Sequence, residues 1–566
     1  MLLSARNTAS KWANAFKTAK RSEVGALCSY RQAAPHTLSV KWGHAVRIRK
    51  KTILYAASVL ACGNLALQAL GFLYRILLSH FAGAEGLGVY RLVNSAYLVL
   101  NAGCLSGVTM ACSRLSAAYE ARGEQDRLSA ILRLSFTAFG AMLAGCTAVV
   151  LLARDTIAVD LLGDVRCSRA LPYLLLCLAL TGIENIFKSL CIGLERMQYT
   201  AVSEVGEQTV RIAAVFCLLF AYGGNDYGVI AMLIFAGMVV SEVFSALFLT
   251  GLYRKQIRRP GRRAPIDRML RHQFFVIALP LSVSALGSNL LSSAGSVLLP
   301  QRLMVAGLTY EQSLSALGVI SGMAMPLILL PIALVSSVCT ALLPAITAAQ
   351  AVGNLNRMRS LVGKSISTVG LIALPATAVL VPLAPRLSEV FFGQSLTLPY
   401  VAILGVVAVS NYYQMASGSL LNALGLQHFN VATAISAELL QLLLLYRWCA
   451  RPTMGIYGYL FAMLLSSAGA FAVNLTVLYH RTGFSLRPLR RFGVPLLCAA
   501  TLFGWTRAFY RIFRLYCTAE WGALILTVCS AGVLYVLILR LFGVRLLRYI
   551  GRRMEPSGTL PPALML

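Results

Sequence analysis

The sequence predicts an all-α polytopic membrane protein of about 14 transmembrane helices, arranged as two pseudo-symmetric six-helix lobes plus two C-terminal helices. Three observations predict it. The 566 residues are 58% hydrophobic and only 12% charged, with a mean hydropathy of +0.73, whereas soluble domains are about one quarter charged. The apolar residues run in blocks of roughly 18–25, the length that crosses a bilayer core. Short motifs recur at a nearly constant offset. A soluble enzyme, a disordered chain and a disulfide scaffold are thereby excluded. So is a transmembrane barrel, whose strands would alternate over about 10 residues.

The first segment, residues 1–51, is basic and carries one acid, Glu23. It lacks the apolar core of a secretory signal. It reads as a disordered or interfacial cytoplasmic arm, and equally as residues ahead of the true start. Six apolar spans follow near 53–79, 88–111, 128–152, 170–192, 201–222 and 227–250, forming an N-lobe over 52–252. A basic linker, 253–272, holds Arg254, Lys255, Arg258, Arg259, Arg262, Arg263, Arg268 and Arg271. Six more spans, near 273–299, 316–342, 361–384, 398–421, 429–447 and 455–479, form a C-lobe over 273–482. A last pair near 492–513 and 519–542 lies within 483–545, and 546–566 is a basic tail.

Basic residues hold loops on the cytoplasmic side. The linker and tail therefore face the cytoplasm, and an even number of spans places both termini there. The loops 80–87 and 221–227, which have no Lys or Arg, face outward. The net charge of +30 is read as topology and attraction to anionic membrane lipids. Nucleic acid is not an expected partner, because the charge sits in short loops between apolar blocks.

The repeat is seen in several places. Gly123-Glu124-Gln125-Asp126-Arg127 returns 230 residues later as Gly353-Asn354-Leu355-Asn356-Arg357. Leu161-Leu162-Gly163-Asp164 returns at the same offset as Phe391-Phe392-Gly393-Gln394. Leu171-Pro172-Tyr173 has its counterpart in Leu398-Pro399-Tyr400, and Glu207 has a near-counterpart in Glu438. An offset of six spans gives both halves one orientation, a parallel repeat whose binding site lies between the halves.

Ionisable groups inside a membrane are costly and mark functional candidates. In the first span Asn64, Gln68 and Arg75 fall within about 40° of each other on a helix. Arg75 either faces a cavity or snorkels to the head groups. A guanidinium suits phosphate through planar, bidentate hydrogen bonding. Asn94, Tyr97 and Asn101 share a face of the second span, suited to sugar hydroxyls or to interhelical bonds. Glu184 and Lys188, four residues apart, can neutralise each other. Glu204, Glu207, Gln208 and Arg211 cluster on the fifth span, where Glu207 can pair with Arg211. Glu242 and Glu438 lie mid-span without a basic partner on their own helices. They are candidates for proton or cation coupling, or for packing against a base on another helix. Pro326 and Pro331 should kink the eighth span.

Catalytic motifs are missing. Gly363-Lys364-Ser365 lacks a P-loop because Met358 stands where its first glycine belongs. Asp155, Asp160 and Asp164 have no metal-loop spacing, and the six His form no close pair. The 14 Cys are scattered without a CxxC pair, predicting neither a metal site nor a required disulfide. The expectation is a non-enzyme with no cofactor.

The stretch GFLYRILLSHFAGAEGLGVY at 71–90 resembles the first-span signature of the stage V sporulation protein B family, roughly GF-x-x-R-I followed by a G-x-E-G-x-G-x-Y turn. Residues 106–124 and the GLERMQ segment with the acidic fifth span, over 190–211, are similar as well. The family falls within the multidrug/oligosaccharidyl-lipid/polysaccharide exporter (MOP) superfamily. The resemblance implies two six-helix lobes around a central cavity, alternating access, and location in a bacterial cytoplasmic membrane. It implies flipping of an undecaprenyl-pyrophosphate-linked saccharide, a lipid II-like peptidoglycan precursor or polysaccharide unit, for cell wall or spore cortex. Cell-wall synthases are then expected partners. Arg75 matches the motif's arginine. Gln68 departs from the basic residue that many relatives carry three positions before the motif glycine. The expected cavity set is Arg75, Gln68, Asn64, Asn94, Asn101 and Arg211; the expected coupling set is Glu242, Glu438 and Glu207.

Two rivals stand beside this reading. A cation-coupled multidrug antiporter would often have 12 spans and an acid where Arg75 stands. A membrane glycosyltransferase would need outward acids and usually a sizeable outer domain, whereas no expected outer loop much exceeds 20 residues.

Overall fold

The computed structural model describes residues 50–541, apart from 125, 258–264, 352, 486–491 and 518. The basic arm, the arginines at 258, 259, 262 and 263, and the tail lie outside the described residues. Every regular element among the described residues is helical.

Helix α1 (Lys50–Ala121) carries the first two expected spans as one run, broken at Gly83 with φ 63° and ψ −176°, a backbone that only glycine adopts without strain. Then come α2 (Asp126–Leu152), α3 (Leu171–Gly193), α4 (Met197–Tyr222), α5 (Tyr227–Leu252) and α6 (Arg268–Val305). Helix α7 (Tyr310–Gly318) passes through a wide turn, Val319–Ala324, and a short helix, Met325–Ile328, into α8 (Ile332–Ala351). The path bends by 58° between Ile328 and Ile332, where Pro331 has no N–H to donate; the kink expected there is present. The remainder is α9 (Leu355–Phe392), α10 (Leu398–Ala423), α11 (Gln427–Trp448), α12 (Gly455–Thr482), α13 (Val494–Tyr516) and α14 (Glu520–Leu541).

Among the described residues, ten helices are long and apolar enough to cross a membrane, or 11 when the bent α7–α8 pair is one span. Length and hydropathy leave the expected count of about 14 unconfirmed. The two expected spans of α1 follow one another across the break at Gly83 and count once. Asn411, Tyr412, Tyr413 and Gln414 in α10, and Arg507, Arg511 and Arg514 in α13, lower the hydropathy of those helices.

Helix starts follow ordinary capping chemistry. Asp226 accepts from the N–H groups of Gly228 and Val229 at α5, Asp267 from Leu270 at α6, and Asn354 from Arg357 at α9. Thr309 and Gln312 close a capping box on α7.

The repeat extends to backbone geometry. Left-handed residues recur at the offset read from the motifs: Gly123 with Gly353, Gly163 with Gly393, and Glu195 with Gly425. Packing repeats too. In the first group α3 packs on α2, α4 and α5, and α4 on α5; in the second α10 packs on α9, α11 and α12, and α11 on α12. Helix α13 lies on α9 and carries α14. Large apolar side chains such as Phe220, Leu247 and Leu443 point outward, as suits a bundle solvated by lipid.

The two groups meet along α1 and at both ends of the bundle; the end that holds Ile257 and Asp267 is called here the linker end and the other the far end. At the far end a Cβ on Gly318 would lie 1.8 Å from the Ala84 carbonyl oxygen, and one on Gly88 would lie 2.4 Å from that of Leu314. The α1 and α7 backbones are thus in direct contact. The Tyr310 hydroxyl donates to Asp164 at 2.7 Å, and Arg166 bridges Asp164 and Glu85 at 3.0 and 2.8 Å. Along the second half of α1, the Ser293 hydroxyl donates to the Ser95 carbonyl at 2.9 Å and the Tyr119 hydroxyl to Gln273 at 3.2 Å. Arg127 reaches Asp267 at 3.0 Å at the linker end.

Candidate functional site

Three helices of the first group build a buried charge cluster. Glu184 and Lys188 stand one turn apart on α3, as do Glu207 and Arg211 on α4, and each couple is in contact. The two couples are joined, because Lys188 Nζ lies 3.2 Å from Glu207. Glu242 of α5 completes the cluster at 3.1 Å from Arg211, whose Nε also donates to the Ser241 hydroxyl at 3.2 Å. The carboxylates of Glu184, Glu207 and Glu242 come within 4.8 Å of one another. Glu204, 40% exposed, lies 3.7 Å from Lys188. Small residues allow this approach: the Ser203 and Ser245 hydroxyls meet at 2.6 Å between α4 and α5, and Gly237 fits its backbone against Val215.

Of the expected coupling residues, Glu207 and Glu242 are in this cluster, together with Arg211 from the expected cavity set. Glu242 has its base on another helix, a contact that i,i+4 reasoning within one helix does not reach. Glu438 is apart, half-buried on α11 and within electrostatic reach of Tyr459 on α12.

A second constellation lies on α1. Arg75 is exposed and Arg91 half-buried. Tyr90 is within electrostatic reach of Arg75, Arg91 and Arg211, and Tyr459 within reach of both Arg91 and Glu438. Neither Arg75 nor Arg91 has an ion-pair partner among the described residues, and Arg91 Nε is buried without a hydrogen-bond acceptor. Gln68 and Asn94 are half-buried on the same helix. Asn101 has a buried side-chain oxygen without a partner, while Tyr97 meets the Thr181 hydroxyl at 3.0 Å. The Asn64 side chain lies outside the described residues. Arg91 was missed by the sequence reading. Its signal was an arginine with no acid one turn away, immediately after the glycine-rich turn and just inside an apolar run.

Cys104 and Cys146 place their sulfurs 3.4 Å apart as free thiols.

A bundle of repeated helical halves, with charges buried inside one half and arginines on its long first helix that have no ion-pair partner among the described residues, defines a polytopic helical membrane protein with the fold of MOP superfamily transporters. An inward-facing multidrug resistance MATE family transporter of that superfamily superposes with a TM-score of 0.61 at 16% identity, over 75% of this chain and 98% of the other. A MOP superfamily transporter from Pyrococcus furiosus Vc1 superposes at 0.56 and 18% identity, over 76% and 95%. The chain belongs to the polysaccharide biosynthesis protein family, whose pattern it matches over residues 53–350. It is 25% identical to stage V sporulation protein B of Bacillus subtilis over 447 residues, 78% of this chain and 85% of that one. It is 22% identical to the lipid II flippase MurJ of the same organism over 518 residues, 85% and 93% of the two chains.

Proposed function

We propose that the protein is a flippase, moving an undecaprenyl-pyrophosphate-linked saccharide across the bacterial cytoplasmic membrane by alternating access. The cargo is a lipid II-like peptidoglycan precursor or a polysaccharide unit, used for cell wall or spore cortex, with cell-wall synthases as downstream partners. Family membership and the two Bacillus relatives support this reading. The observation that carries it is the pair Arg75, exposed, and Arg91, half-buried, two guanidinium groups with no carboxylate partner among the described residues. An unpaired cation within a membrane-spanning segment is costly unless an anion visits it, and a guanidinium fork matches phosphate oxygens.

A pyrophosphate cannot cross about 30 Å of hydrocarbon unaided. Arg75 and Arg91 would hold it, and Gln68, Asn64, Asn94 and Asn101 would offer hydrogen bonds to the sugar, while the prenyl chain stays in lipid. No covalent bond forms or breaks. In this reading the lobes are 52–252 and 273–482, and both termini and the linker end face the cytoplasm, where the basic linker meets anionic lipids. Arg211 is held by Glu207 and Glu242, so it acts through the charge cluster. Cation coupling falls to Glu207, Glu242 and Glu438.

The test is lipid II translocation in proteoliposomes, with a teichoic or capsular precursor in parallel. Losing one charge-assisted phosphate contact costs about 1.5–3 kcal/mol. Arg75→Ala and Arg91→Ala should each slow flipping about tenfold or more, with membrane insertion intact. Unchanged rates in both variants would remove the arginine pair from the site.

A further inference from the structure

The buried cluster has an unbalanced charge count. Glu184, Glu207 and Glu242 supply three carboxylates, and Lys188 and Arg211 two positive charges. None of the five side chains is more than 17% exposed. With all five groups ionised, one negative charge is left over inside the bundle, with like charges in one site, where burial and mutual repulsion both oppose full ionisation.

Glu242 also has an unmet bond. Its side chain is 4% exposed. One oxygen accepts from Arg211; the other, Oε2, is buried without a hydrogen-bond partner among the described residues. The Glu184 carboxyl belongs to the same trio. With the two carboxyls within 4.8 Å of each other, a single proton between them would give Glu242 Oε2 its missing bond and cancel the surplus charge. A metal cation would also balance the charge, but it needs several oxygen ligands. Here Lys188 and Arg211 already engage Glu184, Glu207 and one oxygen of Glu242.

We propose that this cluster is a proton-binding site in which Glu184 and Glu242 share one exchangeable proton, and that this proton is the ion coupled to transport. The second half of the statement rests on the flippase reading above. The groups facing the shared proton are Glu184, Lys188 and Cys177 from α3, Glu207 and Arg211 from α4, and Tyr97 from α1. Glu204, the most exposed acid of the group and 3.7 Å from Lys188, is the point of exchange with water. The proton is taken from water and returned to it, and only O–H bonds form and break.

Infrared spectroscopy of the full-length protein in liposomes, without substrate, reads the proton directly through the carbonyl stretch of a protonated carboxyl. The expected result is such a band at neutral pH, indifferent to sodium and lost in both Glu242→Gln and Glu184→Gln. In vesicles, flipping by the wild type should depend on a proton gradient, and the two variants should lose that dependence. Absence of the band, its survival in both variants, or dependence on a sodium gradient alone would overturn the proposal. Should Glu242→Gln fail to insert, the wild-type spectrum and Glu184→Gln decide. Failure of the wild type to flip any lipid-linked saccharide would sink the flippase reading and leave the band unaffected, so the two failures are distinguishable.

Discussion

Arg211 serves two carboxylates at once, Glu207 from its own helix and Glu242 from α5. Removing one member of a buried ion pair leaves its partner's charge uncompensated, at a cost of about 3–5 kcal/mol. Arg211→Ala should therefore destabilise the protein by about that much, measured as thermal unfolding in detergent. Arg211→Lys, which keeps the charge but cannot fork to both acids and Ser241, should fall between. Glycines offer a sharper contrast. Gly140 has open space where a Cβ would go, whereas Gly318 has the Ala84 carbonyl there. Gly140→Ala should stabilise by about 0.5–1 kcal/mol through helix propensity alone. Gly318→Ala must push two backbones apart and should cost about 1–3 kcal/mol. Equal unfolding temperatures for these two variants would contradict the close α1–α7 contact.

At the scale of the element, the start of α6 joins a cap to a tie between helix groups. Asp267 accepts from the Leu270 N–H and from Arg127 on α2. The backbone bond, then the guanidinium, hold its carboxyl below the usual value. A depressed carboxyl contributes stability above its unfolded value and loses it as pH falls through the folded one. The protection factors of amides in the first turn of α6, corrected for the intrinsic pH dependence of exchange, should therefore stay flat down to about pH 4, the ordinary aspartate value, and fall only below it. A loss of protection between pH 6 and 5 would show that Asp267 does not hold the turn. Features of this kind divide by how far the sequence can see. The helices, the proline break before α8 and the repeat could be read directly, because 3.6-residue periodicity, missing N–H groups and recurring motifs are local. So could the couples Glu184–Lys188 and Glu207–Arg211, set by one helical turn. The bonds from Lys188 to Glu207 and from Arg211 to Glu242 could not, since they depend on how α3, α4 and α5 rotate against each other. Nor do apolar blocks reveal how adjacent spans join: α1 runs through two of them with only Gly83 to turn it.

For the whole molecule, the far end is where the backbones of the two repeated groups come into direct contact. The closure has a polar and an apolar part. Tyr310 of the second group donates to Asp164 and to the Gly163 carbonyl of the first, and Arg166 ties Asp164 to Glu85. Beside these, Gly88 and Gly318 let the α1 and α7 backbones touch. A hydrogen bond to a charged group contributes about 1.5–3 kcal/mol, the size of gap that separates states populated at roughly tenfold to hundredfold ratios. A latch of that size favours closure and could still be released in the alternating-access cycle proposed above. If transport requires that release, fastening the two groups here must stop it while the substrate site remains intact. Gly163→Cys and Tyr310→Cys, joined by a short cleavable bis-thiol reagent, should abolish flipping in vesicles. Each single variant treated with the same reagent should continue to flip, and cleaving the bridge should restore the double variant. A bridged protein that still flips would mean that the far end never opens and that the saccharide takes a path around the closure between the halves.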